Sequence, residues 1–499
     1  MFKKILIANR GEIAVRVIRA AKEMGIATVA VFSECDRTSL HVLMADEAYP
    51  LGPAVAAESY LSISKILQIA KSSGAEAIHP GYGFLSENPA FARQCQLNSI
   101  CFIGPNAATM ERMGEKIAAR RHAIQIGIPV VPGSESPLRD DTDAQSIAKQ
   151  TGFPLMLKAS AGGGGKGMRL VHKAEELSSA LQEAQAEAKA SFGDSSVYAE
   201  KYLSSPRHIE FQVLADRHGN VIHLGERECS IQRRHQKVIE ECPSPLMTEE
   251  LRAEMGKAVI KLARTCRYEN AGTIEFLVDS ERNFYFLEMN TRLQVEHPIT
   301  EMVTGIDLVH EQIKIAYGER LRQRQKDICR HGAAIECRIY AEDPDNHFFP
   351  SPGRITHLRT PAGPGIRDDS GIYEGWTVPI FYDPLLSKSV AWGSNRQEAI
   401  QRMRRALNEY QVGGIKTTIP LFQSVLSHER FLAGDLSTDF IEKYYSQERS
   451  KQEATSLREV ATIAAALYSS KKRDRDFLTA PKGEAPWKLW GRLNAFRNK

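Results

Sequence analysis

The chain has no Cys-x-x-Cys pair. Its eight cysteines, Cys35, Cys95, Cys101, Cys229, Cys242, Cys266, Cys329 and Cys337, stand singly, so neither a zinc ribbon nor a disulfide framework is indicated. Reduced thiols in a cytoplasmic setting are the default. No apolar run approaches a membrane span, and Ile5 to Ala8, behind Met-Phe-Lys-Lys, is too short for a signal peptide. The body also lacks an excess of positive charge. Net charge is +4, but Lys471 to Lys499 holds nine Lys or Arg against three Asp or Glu, leaving the remainder near −2. That gives no case for nucleic-acid binding. There is no internal repeat. What remains is an ordinary globular composition, 25% charged and 42% hydrophobic over 499 residues, with material for about two to four domains.

Lys4 to Asn9 begins with a short buried-type strand, followed by Gly11 and a helical pattern through Ala14, Val17, Ile18 and Ala21 that stops at Gly25. Ala27 to Phe32 is a second strand. The alternation continues through Ile78-His-Pro-Gly-Tyr-Gly83 and Ile100 to Gly104, predicting an open, mostly parallel sheet over roughly the first hundred residues. Such sheets carry ligands at the carboxyl ends of their strands, where Arg10, Gly81 and Gly83 fall. Past Gly114 the pattern changes to hairpins mixed with helices, including a long helix over Ala174 to Ala190. From Ile335 to about Tyr445 short strands are broken by Gly and Pro, with a helix over Arg396 to Glu409.

Four consecutive glycines, Gly162 to Gly165, lie between Lys158 and Lys166 and join the strand ending at Lys158 to the strand Arg169 to His172. Backbone N–H groups in such a loop approach a polyphosphate closely, although a flexible hairpin tip has the same composition. A dinucleotide fingerprint opens a helix, and this loop leads into a strand. A Walker loop requires Ser or Thr after the lysine, where Gly167 stands, and there is no His-Arg-Asp or Asp-Phe-Gly triplet of a protein kinase. A glycine lid between two strands, closing over ATP, is what remains. Downstream, Glu200-Lys-Tyr-Leu203 is a strand end offering an adenine edge its backbone. Arg227, Arg233, Arg234, His235 and Lys237 cluster within eleven residues, as a solvated basic patch or as an anion holder.

Glu288, Asn290, Arg292, Gln294 and Glu296 occupy alternate positions, so an extended chain aims all five at one face. Half-exposed edge strands alternate in the same way. The preceding strands Gly272 to Asp279 and Asn283 to Glu288 weigh against a wet edge. With Ser280 to Asn283 as the hairpin loop, Glu275 falls opposite Glu288, about 5 Å apart at Cβ, where like charges are destabilising. Two facing carboxylates beside the Asn290 amide suit a divalent cation shared with a substrate phosphate.

Taken in order, Ala8 to Ala14, His79 to Glu87, the glycine loop, Gln232 to Lys237 and Glu288 to Pro298 resemble biotin carboxylase, a family of ATP-grasp enzymes. The resemblance runs from residue 2 to about 445. It implies a mixed α/β and α+β fold: a Rossmann-like open parallel sheet over 1–114, an ATP-grasp domain over 115–330 with a mobile lid at about 131–203, a mainly antiparallel β domain over 331–446, and a basic extension over 447–499. It implies that ATP, Mg2+ or Mn2+, and bicarbonate form carboxyphosphate and ADP, and that the carboxyl then passes to N1 of biotin. Lys116, Lys158, Gly163, Gly164, Gly165, Lys166, Gly167, Glu200, Lys201, Tyr202, Leu203, His208, Gln232 and His235 match the family's ATP site. Glu275, Glu288 and Asn290 match its metal ligands, and Lys237, Arg292, Gln294 and Val295 its bicarbonate pocket. Glu296 matches the general base, and Arg338 the cation that stabilises the biotin enolate.

These roles agree with the chemistry of the side chains. A planar guanidinium at position 292 meets a planar bicarbonate in bidentate fashion. A carboxylate within about 3 Å can take bicarbonate's proton, and a fixed cation beside the ureido oxygen supplies oxyanion-type stabilisation. The family also implies a homodimer, a biotin carboxyl carrier protein and a carboxyltransferase subunit, with neither nucleic acid nor membrane as partner. The Met-Lys-Met biotinylation segment does not occur, so the carrier is expected on another polypeptide. The competing readings are other ATP-grasp ligases and a non-catalytic regulatory subunit. Arg338 argues against the first, the full Glu275, Glu288, Arg292 and Glu296 set against the second.

A helix is expected over Ser456 to Tyr468, and Trp487, Trp490, Leu493 and Phe496 follow at near-helical spacing. The latter segment packs back on its own subunit or docks a carboxyltransferase or carrier. Deleting residues 470–499 is expected to leave turnover of free biotin intact while weakening co-purification with that partner; undiminished co-purification would count against docking.

Overall fold

A computed structural model describes residues 1–160, 167–445 and 460–466. Five parallel strands open the chain: β1 (Lys4–Ile7), β2 (Ala27–Ser33), β3 (Glu47–Gly52), β4 (Ala77–His79) and β5 (Cys101–Phe102), in the order β3-β2-β1-β4-β5. β1 is central and covered on both faces, which is why it reads as a continuous apolar run. Ile5 and Ile7 pack with Ile13, Val17 and Ile18 of α1 (Gly11–Glu23), and Leu6 packs on the other face with Ile66 and Phe91. The loops after β1 and β4 meet where the strand order reverses. Asn9 Nδ2 donates to the Pro80 and Tyr82 carbonyls, both at 2.7 Å. Gly81, at φ +63°, leaves the room this needs, since a Cβ there would stand 2.9 Å from that nitrogen.

After α2 (Lys116–Gln125), strands β6 (Leu155–Ala159), β7 (Arg169–Val171) and β8 (Val197–Lys201) form an antiparallel sheet in the order β7-β6-β8. β6 and β7 pair antiparallel, so the glycine loop joins hairpin partners as expected. The long helix begins at Leu177 rather than Ala174, because Ala174–Glu176 form a tighter 3-10 turn.

Eight further strands build one antiparallel sheet, and three two-stranded pairs lie beyond residue 340. The eight are β9 (Arg207–Ala215), β10 (Val221–Arg233), β11 (Gln236–Cys242), β12 (Asn270–Val278), β13 (Phe284–Asn290), β14 (Ala333–Tyr340), β15 (Ile366–Ser370) and β16 (Leu385–Gly393), ordered β13-β12-β9-β10-β11-β14-β16-β15. Those past residue 330 thus continue the central sheet, through pairing of β11 with β14. All eight residues of β14 are buried. One face, with Ile335, Cys337 and Ile339, joins an apolar core completed by the helix Arg396–Glu409. The other carries Glu336 and Arg338, so charge is buried there and must be paired.

Residues 1–445 form one unit and 446–499 a second. In the second, residues 460–466 are helical, within the expected helix; Trp487, Trp490, Leu493 and Phe496 lie outside the described residues. Among the described residues no helix is long and apolar enough to cross a membrane.

Gly133 shows how tightly the segment before β6 is laid on β8. It bridges to Glu200, and a Cβ would stand 2.2 Å from the Ala199 carbonyl oxygen and 2.8 Å from the Glu200 Cα. Both obstacles are backbone. Gly133→Ala is expected to destabilise the protein by about 1–3 kcal/mol and to weaken ATP binding through Glu200, as read by thermal unfolding with and without nucleotide. An unchanged midpoint would contradict this account.

Candidate active site

A cavity of about 1070 Å³ lies between the carboxyl ends of β1 and β4, the β6–β8 sheet and the face of β9 to β14. Every described candidate residue lines it except Gly167 and Glu296. Gly167 packs against β6, where a Cβ would come within 2.8 Å of the Ala159 Cβ. Gly163, Gly164, Gly165 and Lys166 lie outside the described residues.

The β12–β13 hairpin sets the middle of the site. Glu275 does face Glu288, and Thr273 faces Asn290. The turn that achieves this differs from the expected one. Val278 pairs with Phe284 and the Asp279 N–H donates to the Asn283 carbonyl at 3.0 Å, so the loop is Ser280 to Arg282, with Arg282 at φ +67°. A three-residue loop ending in a left-handed residue shifts the register by one. A bulge at Leu287 shifts it back before Glu288.

The extended row past Asn290 is corrected by the structure. β13 ends at Asn290, the chain bends, and Glu296 becomes the N-cap of helix α3 (His297–Thr304). The five side chains still converge, though from a bend rather than one strand face. Glu87, from the His79 to Glu87 motif, fixes the bend: it accepts from the Thr291 N–H and from Arg292 Nε, both at 2.8 Å. Arg292 Nη1 also donates to Gln294 Oε1 at 3.0 Å.

Behind this bend sits one ammonium. Lys237 Nζ donates to Glu275 at 2.7 Å, to Glu296 at 2.8 Å and to Glu210 at short range. Burial works to lower the Lys237 pKa, and Glu210, Glu275 and Glu296 reverse that and hold it well above the lysine range. The carboxylates respond in kind. Burial would raise Glu296, but Lys237, Arg338 and Arg227 hold it well below the usual range; Lys237 and His208 do the same for buried Glu275. The Gln232 amide donates to His208 Nδ1 at 2.8 Å, leaving His208 Nε2 to donate to Glu275 at 2.7 Å.

Arg338 joins Glu296 to the next strands, with Nη2 on Glu296 Oε2 at 3.0 Å and Nε 2.6 Å from Glu240. Glu240 is paired directly opposite Glu336, whose side chain has no hydrogen-bond partner among the described residues. Burial pushes Glu240 up to about 7 against Arg338, and raises Glu336 well above the carboxylate range. Two opposed buried carboxylates do not both ionise cheaply, which favours a proton retained on the pair.

At the other end, Lys158 and Arg120 grip Glu200 at 2.5 and 3.0 Å. Lys116 at the start of α2 stands 3.5 Å from Glu288. Lys201 donates to the Phe153 carbonyl at 2.8 Å, while Tyr202 and Leu203 continue along the cavity wall. Arg234 and His235 form the two-residue β10–β11 turn at φ +50° and +66°. Two side-chain-bearing residues in left-handed backbone are strained, and here the turn presents both to the cavity. The basic cluster is thus divided: Arg234 and His235 are exposed at the turn, while the other members are partly or fully buried. Arg227 is fully buried, with Nε on Glu210 at 2.5 Å, and Arg233 pairs with Glu342 at 2.6 Å.

Residues 275, 288 and 290 offer two carboxylates and an amide oxygen on paired strands at the cavity wall, hard donors that fit Mg2+ or Mn2+. Glu288 is free to serve, its ion pair with Lys116 being long. Sequence reasoning missed Glu210 and Arg120, and left Arg227 open between a solvated patch and an anion holder. Glu210 had a signal: in His208-Ile-Glu-Phe-Gln212 it shares a strand face with His208.

Lysines at one end, a carboxylate–amide hairpin in the middle and a guanidinium–carboxylate pair at the other define a phosphoryl-transfer site on an ATP-grasp fold. Comparison with known proteins narrows this. Family models for the biotin carboxylase N-terminal domain, the ATP-binding domain of the carbamoyl-phosphate synthase L chain and the biotin carboxylase C-terminal domain match residues 1–110, 115–324 and 336–443. The chain is 55% identical over 444 residues to a pyruvate carboxylase subunit of Methanothermobacter thermautotrophicus, covering 89% of this chain and 90% of that one. It is 52% identical over 445 residues to biotin carboxylase 1 of Bacillus subtilis, covering 89% and 99%. The biotin carboxylase domain dimer of Hydrogenobacter thermophilus 2-oxoglutarate carboxylase, solved with MgADP, ADP and bicarbonate, superposes with a TM-score of 0.87 at 50% identity, over 90% of this chain and 98% of that one. The chain belongs to the biotin carboxylase family, whose members are ATP-dependent carboxylases.

The Glu240–Glu336 pair makes stability depend on pH near neutrality. A folded-state pKa raised above the unfolded value contributes stability that is complete at low pH and is lost as pH rises through the folded value. For Glu240 that window runs from the ordinary carboxylate range to about 7. Wild type is expected to lose thermal stability between about pH 5 and 7, and Glu336→Gln, which leaves a single carboxylate beside Arg338, to lose less. Equal losses in the two proteins would refute a proton retained by the pair.

Proposed function

We propose that this chain uses ATP and bicarbonate to carboxylate N1 of biotin on a separate carrier protein, the first half-reaction of an acyl-CoA or pyruvate-type carboxylase. The observation that carries the proposal is Glu296, a carboxylate clamped between Lys237 and Arg338 beside the Arg292 bend. Lys116, Lys158, His235 and the Gly163 to Gly167 loop bind the phosphates, and Glu200 to Leu203 with His208 and Gln232 complete the nucleotide site. Mg2+ or Mn2+ held by Glu275, Glu288 and Asn290 would neutralise phosphate charge.

Arg292, Gln294, the Val295 backbone and Lys237 hold bicarbonate so that one oxygen faces the γ-phosphorus; bond formation there expels ADP and leaves carboxyphosphate. Glu296 takes bicarbonate's remaining proton. Its low pKa suits that task only once bicarbonate is bound, because the anion draws off part of the Lys237 and Arg338 charge and returns basicity to Glu296. Carboxyphosphate then breaks its bond between the carboxyl carbon and the phosphate oxygen, giving phosphate and CO2; the phosphate takes the N1 proton while Arg338 faces the biotin ureido oxygen, and N1 bonds to the CO2 carbon. A homodimer, a biotin carboxyl carrier, a carboxyltransferase partner and a cytoplasmic setting complete the proposal, with the domain boundaries drawn from the resemblance.

The test is bicarbonate-dependent ATP hydrolysis with and without free biotin. Biotin is expected to stimulate it, and no stimulation at high biotin would overturn the proposal. Arg292→Ala is expected to lower carboxylation about 100-fold or more with little change in the KM for ATP. A matching collapse of ATP affinity would remove Arg292 from the bicarbonate pocket.

A further inference from the structure

Lys388 of β16 is fully buried, yet the cavity chemistry above makes no use of it. Its strand neighbours are Arg338 on one side and Asp369 on the other, so all three share the sheet face on which α3 begins. Nζ donates to the Val295 carbonyl at 2.9 Å. It also stands 3.2 Å from Glu12 in the first turn of α1 and 4.0 Å from Asp369. The Tyr82 ring lies 5.7 Å away. Asp369 is itself gripped by Arg367 at 2.7 Å, which fixes one side of the ammonium's surroundings.

Such a lysine is unusual. Burying an ammonium is unfavourable unless anions and acceptors surround it, and here two carboxylates from separate parts of the fold do so. The remaining contact is a backbone carbonyl, and it belongs to the residue before Glu296. A carbonyl bonded to a fixed charge cannot rotate freely, so the peptide joining Val295 to Glu296 is fixed too. That peptide controls where the Glu296 side chain leaves the chain as it enters α3.

We infer that Lys388 is a positioning residue for carboxylation: anchored by Glu12 and Asp369, it holds the Val295 carbonyl and so aims the Val295–Glu296 peptide and the Glu296 carboxylate at bicarbonate. Lys388 does not line the cavity. The inference rests on the bicarbonate role given above to Val295 and Glu296. It also makes the catalytic turn depend on α1 and β16, elements remote in sequence from residues 288–296.

The test compares Lys388→Met combined with Glu12→Gln, a pair that removes one buried charge from each side, with Lys388→Arg. In the folded double variant the KM for bicarbonate is expected to rise about tenfold with a fall in kcat, while the KM for ATP stays within about twofold. Lys388→Arg keeps the charge but spreads it over a planar fork, and is expected to give a smaller rise of about threefold in the bicarbonate KM. An unchanged bicarbonate KM in the double variant overturns the inference, as does a parallel rise in both KM values, which marks general loss of packing. If the double variant does not fold, Lys388→Arg decides alone, and a wild-type bicarbonate KM in it overturns the inference. Failure of the carboxylase reading shows separately, as wild type without bicarbonate-dependent, biotin-stimulated ATP hydrolysis.

Discussion

One buried ammonium answers three carboxylates that come from three parts of the chain. Glu210 is on β9, Glu275 on β12 and Glu296 at the head of α3, and Lys237 of β11 reaches all of them. None of the four is tolerable alone in that interior. Removing one partner from such a cluster leaves an uncompensated buried charge, which costs about 3–5 kcal/mol. The order of the eight-stranded sheet follows from this need as much as from apolar packing, because β10 lies between β9 and β11 and contributes Arg227, which neutralises Glu210 from the other side. Thr273, Gln212 and Thr300 accept three more of the Arg227 N–H donors. The arrangement that makes the sheet affordable also concentrates charge where a small anion is to be held.

The same constraint continues along the sheet. Glu240, Glu336, Arg338, Lys388, Asp369 and Arg367 follow one another across β11, β14, β16 and β15 on one face, and Arg338 with Glu240, Lys388 with Asp369 and Arg367 with Asp369 approach as ion pairs. The face is also where α3 lands. Its later residues Ile299 and Val303 meet Cys242, Ala334 and Val390 in an apolar cluster, while its first turn meets the charges. Apolar packing sets the helix's position on the sheet; ionic contacts such as Glu301 with Arg16 and Arg367 set its rotation. Glu296 is aimed by the two together.

Much of this was legible in the sequence because local patterns carried it. The parallel sheet announced itself through unbroken apolar strands, and the pairing of Glu275 with Glu288 through the hairpin composition. That second inference succeeded through two departures that cancel: the loop is one residue shorter than expected, and the Leu287 bulge restores the register. The run from Glu288 to Glu296 was less legible. Alternation of side-chain type suggests an extended strand, but an alternating pattern has no means of recording that Glu87, two hundred residues away, bends the chain after Asn290. Buried charges were least legible of all. Arg227 and Arg120 read as surface residues until the partners that neutralise them are placed, and Lys388 looks like any strand lysine without Glu12 beside it.

Glu296 shows why the cluster has to be this strong. A carboxylate held so far below its ordinary pKa is a poor base in the empty site, and a site with a stronger base would run the risk of binding a proton instead of substrate. In the proposed mechanism basicity is withheld by Lys237 and Arg338, the same cations that would attract bicarbonate. Arrival of the anion would divide their charge between two acceptors, so the proposed base would be released by the substrate it is to deprotonate. The geometry must then be fixed beforehand, since a carboxylate free to follow its cations would stay paired with them. A backbone bend tied to Glu87 on one side and a helix seated on a paired-charge face on the other provide that fixity, and they explain why the turn is built from contacts with distant parts of the fold.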